Sequence, residues 1–245
     1  MKALIPAAGH GTRFAPFTKL VPKEMLPIGA RPAIALIVDE AIEAGADEVV
    51  IITAPEKPLL KKWFEIEPPR VKITWVDQLE QHGLGHAVLQ AANLFCEKDD
   101  KVLILLGDAL VSGGCASKAM VERSEALGGV AVIGVEEVPL ERVSRYGIMK
   151  VEDDYIVDMV EKPSVDEAPS RLAVAGRYLL PVKIFEYLKT QTPGKGGEIQ
   201  LTDSIKRMIA DGTKLAPYVY HGKRQDIGNP AGYYETLAAF RELEF

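Results

Sequence analysis

Over its first 138 residues the chain repeats one pattern: a short, nearly all-apolar run, then a stretch whose apolar residues recur at helical spacing. Lys2–Pro6, Glu48–Thr53 and the run KVLILLGD from 101 to 108 are too short for helices and too apolar for a half-exposed strand. They read as strands covered on both faces. RPAIALIVDEAIEAG puts Ile34, Ile37, Val38, Ala41 and Ile42 on one helical face, with Pro32 at the start and Gly45 at the stop. Residues 57–65 and 85–95 read as further helices, 71–76 and 130–138 as further strands. Such alternation dictates an α/β fold: a Rossmann-like, mixed but mainly parallel sheet flanked by helices.

After about Val138 the rhythm changes. Residues 145–151, 155–163 and 172–180 read as strands with few helices between them, which predicts antiparallel pairing. Helices return at Val182–Lys189, Ile199–Ala210 and Ala231–Glu242. There is no low-complexity linker and no internal repeat. The 245 residues are therefore expected to form one domain, 1–245, with a first half over 1–138 and a second over 139–245.

Charge narrows the partners. The chain has 29 Lys+Arg against 35 Asp+Glu, a net charge of −6. It has no global field to attract nucleic acid or an anionic membrane, so neither is an expected partner. The opening MKALIPAAGHG is too short an apolar run for a signal peptide, and no 18-residue apolar run follows, so a cytoplasmic protein is expected. Cys96 and Cys115 fit no zinc or C-x-x-C spacing and read as reduced thiols. Any anionic ligand must be held by local positive charge and backbone N–H groups.

The first place that could do so is AAGHGTRFAPFTKLVPKEMLP, residues 7–27, directly after the first strand. Strand, glycine turn and helix is the layout of a phosphate cradle. Glycines let successive N–H groups face an anion, and Arg13 adds a planar charged fork. The turn lacks the third glycine of a dinucleotide fingerprint and the Gly-Lys-Ser/Thr of a Walker loop. By itself, a surface turn with solvated lysines explains it as well.

The whole string G-x-G-T-R-x-x-P-x-T-K-x-x-P-K-E-M-L-P resembles the signature of the sugar-1-phosphate nucleotidyltransferase family, and within it the bacterial UTP–glucose-1-phosphate uridylyltransferases. The resemblance runs from Ala3 to about Tyr234. It implies the nucleotide-diphospho-sugar transferase type of fold, with the nucleotide in the first half and the sugar in the second. It also implies nucleotide contacts from Ala7, Ala8, Gly9, Gly11 and Thr12, and catalytic charge from Arg13, Lys23 and Lys162. DQLEQHGLGHAVL is similar to the family's base-binding segment, giving Gln78 and Gly83. A Gln amide can accept from uracil N3–H and donate to O4. Turned over, it would suit cytosine, so Gln78 needs fixed partners, expected from backbone near Gly83. His86 is given no catalytic role.

LLGDAL and RQDIGNP supply two carboxylates, Asp108 and Asp226, which the resemblance makes ligands of Mg²⁺. Many relatives carry a second Asp where this chain has Ala109. RYGIMKV, MVEKP and AVAGRYLL resemble the sugar-binding part, giving Gly147 beside Tyr146, then Glu161, Lys162 and Gly176. Glu198 and Asp203 of GGEIQLTD read equally well as structural. The implied reaction is transfer of a uridylyl group from UTP to a sugar 1-phosphate, glucose 1-phosphate foremost, releasing pyrophosphate. Thymidylyl transfer from dTTP, or a non-catalytic nucleotide-sugar-binding regulatory subunit, are the alternatives. The family's usual helical insertion before the Gln segment is shortened here to IEPPRVKITWV, and the family usually extends further at its carboxyl end. A homo-oligomer stays open.

Overall fold

A computed structural model describes residues 1–96, 100–220 and 222–240. The chain opens with strand β1 (Lys2–Pro6), and a long loop follows. A two-rung hairpin, β2 (Pro27–Ile28) and β3 (Arg31–Pro32), leads into helix α1 (Ala33–Glu43). Then come β4 (Glu48–Thr53), α2 (Pro58–Ile66), β5 (Lys72–Asp77) and α3 (Leu84–Leu89), followed by β6 (Lys101–Leu105), β7 (Ala109–Ser112), α4 (Ala116–Ala126) and β8 (Ala131–Glu137). The later part holds β9 (Gly147–Glu152), β10 (Tyr155–Glu161), β11 (Leu172–Pro181), α5 (Ile184–Lys189) and α6 (Leu201–Ala210). It ends with β12 (Leu215–Val219), β13 (Lys223–Asp226) and α7 (Pro230–Ala239).

One nine-stranded mixed sheet runs through the molecule in the order β10-β9-β11-β6-β1-β4-β5, with β8 and β12 joined beside β11. β6, β1, β4 and β5 are parallel. β11 enters antiparallel against β6, β8 and β9. The period-2 pleat sends alternate residues to opposite faces, and both faces are buried. Leu4, Val50, Ile52 and Ile104 point to the side covered by α3, α5 and α6. Ala3, Ile5, Val49, Ile51 and Leu103 point to the side covered by α1, α2 and α4. That explains why the central strands read as unbroken apolar runs.

Several elements differ from the sequence reading. α4 buries Ala116, Ser117, Met120 and Ser124, a face too small and polar to show as a hydrophobic period. β7 and β13 form a separate two-stranded ribbon, and KRQD carries no strand pattern. β12 was not anticipated either. The helix expected over 85–95 ends at Leu89 and gives way to a 3-10 turn at Ala92–Leu94. Of the expected Ala231–Glu242 helix, residues 241 and 242 lie outside the described residues. Among the described residues no helix is long and apolar enough to cross a membrane.

Two devices bend the sheet toward one place. β11 slips register between Val174 and Tyr178, and Gly176 sits in the slip with φ +84°. Its carbonyl accepts from the Leu106 N–H. Beside it Arg177, with no exposed surface, donates to both Glu40 oxygens at 2.9 and 2.6 Å and to the Ala109 carbonyl at 2.7 Å. That guanidinium ties α1, β7 and β11 together. A side chain at Gly176 would meet Leu106 Cδ1 at 3.2 Å and Ala109 Cβ at 3.3 Å in left-handed backbone. Gly176→Ala should therefore cost about 1–3 kcal/mol, read as a fall in Tm of about 2–4 °C per kcal/mol for a chain of this size. An unchanged Tm would mean the slip relaxes freely.

Candidate active site

The loop 7–27 does not run into a helix N-terminus. It winds through three 3-10 turns, at Thr12–Phe14, Phe17–Lys19 and Lys23–Met25, before α1 begins at Ala33. Pro16, Pro22 and Pro27 remove N–H donors along it, so no α-helix runs through it to supply a helix dipole. Gly11 takes φ +65°, and its carbonyl accepts from Thr18 Oγ1 at 2.8 Å.

What fixes the loop is a lysine that sequence reasoning passed over. Lys57 lies just before α2 and is nearly fully buried. Its ammonium donates to the carbonyls of Ala7 at 2.7 Å and Gly9 at 2.6 Å. It also contacts both oxygens of Glu24, which is 1% exposed, at 3.2 and 3.1 Å. Burial holds Lys57 below its usual range and Glu24 above its own, against their mutual attraction. With both carbonyls drawn inward, the remaining faces of Gly9, His10 and Gly11 line a cavity of ≈ 540 Å³ together with Ala8, Thr12, Arg13, Lys23, Gln78 and Gly83. Ala7 is not part of that lining. Its N–H goes to the Ile52 carbonyl, and it serves as a clamp for the loop.

Lys23, one residue before Glu24, donates to Asp108 Oδ2 at 2.5 Å. Burial would raise the Asp108 pKa, but the Lys23 charge and hydrogen bond outweigh it and hold it below the usual carboxylate range. Asp108 follows β6 through Gly107, whose missing side chain lets the turn pack on Pro6: a Cβ there would meet the Pro6 carbonyl at 2.8 Å.

Asp226 arrives from the other end of the chain through the ribbon. Asp226 pairs with Ala109 across β13 and β7, and the Ile227 N–H donates to the Asp108 carbonyl at 3.0 Å. Asp226 Oδ1 accepts from the Gly228 N–H at 2.7 Å, and Arg13 Nη1 lies 3.9 Å from Oδ2. A side chain at Gly228 would occupy one gap bounded by Asp226 Oδ1 at 2.8 Å, Arg13 Nη2 at 2.9 Å and Asp108 Oδ2 at 3.2 Å. Glycine keeps that gap open. Ala109, where relatives carry a second Asp, is 3% exposed and packed toward Gly176, so a carboxylate there would be buried.

A second cavity, of ≈ 560 Å³, shares Arg13, Leu84, Leu106 and Asp108 with the first. Asp226, Tyr146, Gly147, Glu161 and Gly176 line it. Glu161 is held by Thr202 Oγ1, which donates at 2.7 Å, and Gly147 leaves the room: a Cβ there would meet Glu161 Oε2 at 3.2 Å. Lys162 lines neither cavity. It stands beside the second, its ammonium 3.4 Å from Glu161 Oε1, with left-handed backbone at φ 46° that a lysine rarely adopts.

Sequence reasoning missed Arg224, Gln200 and Thr202 in this wall. Arg224 stacks 4.4 Å from the Tyr146 ring and donates to Glu136 at 2.6 Å. Nothing in KRQD marks it, because its role depends on where β13 lies. Gln78 is 2% exposed and contacts His86, not the Gly83 backbone. Gly83, with φ +102°, instead admits the 198–199 segment: a Cβ there would meet Glu198 Cβ at 2.8 Å. Glu198 lines the first cavity, whereas Asp203 packs under Gly194.

The arrangement is two chambers meeting at a wall of Arg13 and Asp108, with cationic and anionic groups interleaved. The sequence profile of the nucleotidyl transferase family matches residues 2–242. UTP–glucose-1-phosphate uridylyltransferase 2 of Staphylococcus saprophyticus is 41% identical, over 98% of this chain and 91% of its own length. The UTP–glucose-1-phosphate uridylyltransferase of Bacillus subtilis is 38% identical over 98% and 90%. A crystal structure of UDP-glucose pyrophosphorylase with UDP-glucose superposes with a TM-score of 0.90 at 36% identity, covering 99% of both chains. A glucose-1-phosphate thymidylyltransferase structure from Bacillus anthracis gives 0.85 at 26% identity, covering 100% of this chain and 97% of its own.

The Lys57–Glu24 pair should show the signature of a buried ion pair. Removing one partner from such a pair costs about 3–5 kcal/mol, because the other is left charged and dry. Lys57→Met should lose about that much by urea unfolding, and adding Glu24→Leu should restore part of it. A double variant no more stable than Lys57→Met alone would show that the ammonium works through the Ala7 and Gly9 carbonyls only.

Proposed function

This chain belongs to the nucleotidyl transferase family, and on that premise we propose that it transfers a uridylyl group from UTP to a sugar 1-phosphate, glucose 1-phosphate foremost, giving UDP-sugar and pyrophosphate. The observation that carries the proposal is the pair of chambers that meet at Arg13 and Asp108. The loop chamber, with Gln78 at its far wall, takes UTP. The Glu161 chamber takes the sugar phosphate. Residues 1–138 act as the nucleotide half and 139–245 as the sugar half of one domain, a reading supported by the single sheet through both. The relatives named for uridylyl transfer are 36–41% identical, against 26% for the thymidylyltransferase structure, which favours UTP over dTTP. Asp108, Asp226, Lys23 and Lys162 are all present in the chain, which speaks against a non-catalytic subunit. The enzyme would work in the cytoplasm.

Phosphate oxygen of the sugar 1-phosphate attacks the α-phosphorus of UTP, and the bond to pyrophosphate breaks. Such a displacement needs alignment and charge neutralisation more than a covalent nucleophile. Backbone N–H groups of Ala8, Gly9, Gly11 and Thr12 would hold the triphosphate. Arg13 would balance the charge that builds on the leaving pyrophosphate. Lys23 and Lys162 would offset repulsion as the two anions approach. Gly147, Glu161 and Gly176 would seat the hexose.

Of the three side chains that border the Gly228 gap, Asp108, Asp226 and Arg13, the two carboxylates fit Mg²⁺. Carboxylate oxygens of Asp108 and Asp226 border one opening that a Cβ would fill, and Mg²⁺ takes hard oxygen donors, typically one or two carboxylates completed by substrate phosphates. Among the described residues no third His, Cys, Asp or Glu joins them. When bound, the ion would neutralise phosphate charge.

Each carboxylate should matter alone. Asp108→Asn and Asp226→Asn are each expected to lower Mg²⁺-dependent kcat/KM with UTP and glucose 1-phosphate by about 10²–10³, with an unchanged circular dichroism spectrum. Turnover within about threefold of the parent would remove that residue from the metal site. Lys162→Ala should cost a similar factor if its charge reaches the sugar phosphate, and near-normal kinetics would make it a strand-end charge only. Pyrophosphate release compared across UTP, dTTP, CTP, ATP and GTP tests the nucleotide. Equal use of purines would overturn the base pocket.

A further inference from the structure

His86 is caught between two amides. Its Nδ1 lies 2.9 Å from the amide end of Gln78, and its Nε2 lies 3.0 Å from Gln90 Nε2. A neutral imidazole offers one N–H and one lone pair, and an imidazolium offers no lone pair at all. Two amide N–H groups therefore cannot both donate to this ring, and one of the two amides must present oxygen. A second contact settles Gln90: its Nε2 also lies 3.2 Å from the His86 backbone carbonyl, to which it donates. Turning Gln90 over would set two oxygens against each other. Gln90 thus donates to His86 Nε2, the lone-pair nitrogen, and the proton sits on Nδ1. Burial, then the His82 charge, lower the proton affinity of the ring against a hydrogen bond to the Glu80 backbone and the Glu80 charge; the net effect favours the neutral form.

The consequence falls on Gln78. Facing an Nδ1–H donor, its amide must turn Oε1 toward His86. The two ends of a carboxamide fill the same space, so the 2.9 Å contact is kept. We propose that His86, locked as its Nδ1–H tautomer by Gln90, is a positioning residue for base choice: it holds Gln78 with Oε1 against the ring and the NH₂ group available to the nucleotide chamber. This rests on the reading of that chamber as the UTP site. Oε1 keeps one lone pair for an imide N3–H, and the NH₂ donates to the adjacent ring carbonyl. Uracil and thymine offer that pair. Cytosine presents a lone pair at N3 and an amino group at C4, and meets Gln78 with two mismatches. The partner that the amide needs is thus a side chain in the first turn of α3, itself set by Gln90 at i+4.

Two measurements test it. Long-range ¹H–¹⁵N correlation on the full-length protein with ¹⁵N-labelled histidine reads the tautomer directly at pH 7. A protonated Nδ1 with a lone-pair Nε2 is expected for His86. An Nε2–H ring or an imidazolium would overturn the proposal. The second measurement is the ratio of kcat/KM for UTP over CTP in the parent, His86→Leu and Gln90→Leu proteins. Freeing the amide should lower the ratio by about tenfold or more in both variants, since one hydrogen-bond preference is worth about that factor. KM for glucose 1-phosphate should hold steady. A variant that loses activity with both nucleotides in proportion, leaving the ratio intact, would make the histidine merely structural and overturn the assignment. A parent protein that turns over no UTP would overturn the nucleotide reading and the base-selection step with it, while the tautomer measurement would still stand.

Discussion

The ammonium of Lys57 is the contact on which the site depends. It gathers the carbonyls of Ala7 and Gly9 and both oxygens of Glu24 at one buried point. A glycine turn is flexible by nature, and this loop has no helix to brace it. Drawing two of its carbonyls into the interior fixes which faces remain for a ligand. Glu24 then fixes its neighbour Lys23 at the cavity wall, where Lys23 meets Asp108. Loop, first chamber and strand-end carboxylate are thus coupled through two adjacent residues of opposite charge.

The same logic runs on the far side of Asp108. Arg177 fastens the Ala109 carbonyl, and Ala109 pairs with Asp226 across the ribbon. A buried guanidinium with five donors and a fixed fork suits this better than an ammonium would. It reaches α1 through Glu40 and β7 through a carbonyl, so the two carboxylates are positioned by elements that are themselves tied to the sheet. The glycines mark where bodies approach closest: Gly107 against Pro6, Gly176 in the strand slip and Gly228 between the carboxylates. In this acidic protein the cations of the site, Arg13, Lys23 and Lys57, each stand beside a carboxylate.

Much of this was legible in the residues. Unbroken apolar runs of strand length identified the sheet, because strands covered on both faces cannot alternate. The loop string marked a candidate anion site, and that loop lines the first chamber. Asp108 could be placed at a strand end, and Gly147 and Gly176 are tight spots in the wall of the second chamber. What escaped was whatever carried no periodicity. α4 buries two serines beside Ala116 and Met120. β13 is a strand of charged residues stabilised by its partner. Lys57 reads as one more solvated lysine near a helix start. His86 reads as an ordinary helix residue until its two neighbouring amides are counted.

The sequence by itself determined the local choices: which runs become strands or helices, and where prolines forbid an α-helix. Those follow from short-range sterics and from the hydrophobic period, both written in neighbouring residues. Only the tertiary structure decided that Asp226 faces Asp108, that Lys57 is buried under the loop, that Arg224 enters the wall of the second chamber and that Gln78 leans on His86. These contacts join residues far apart in the chain or facing each other across a turn. Their energies come from burial and hydrogen-bond geometry, which exist only once the sheet has brought the partners together.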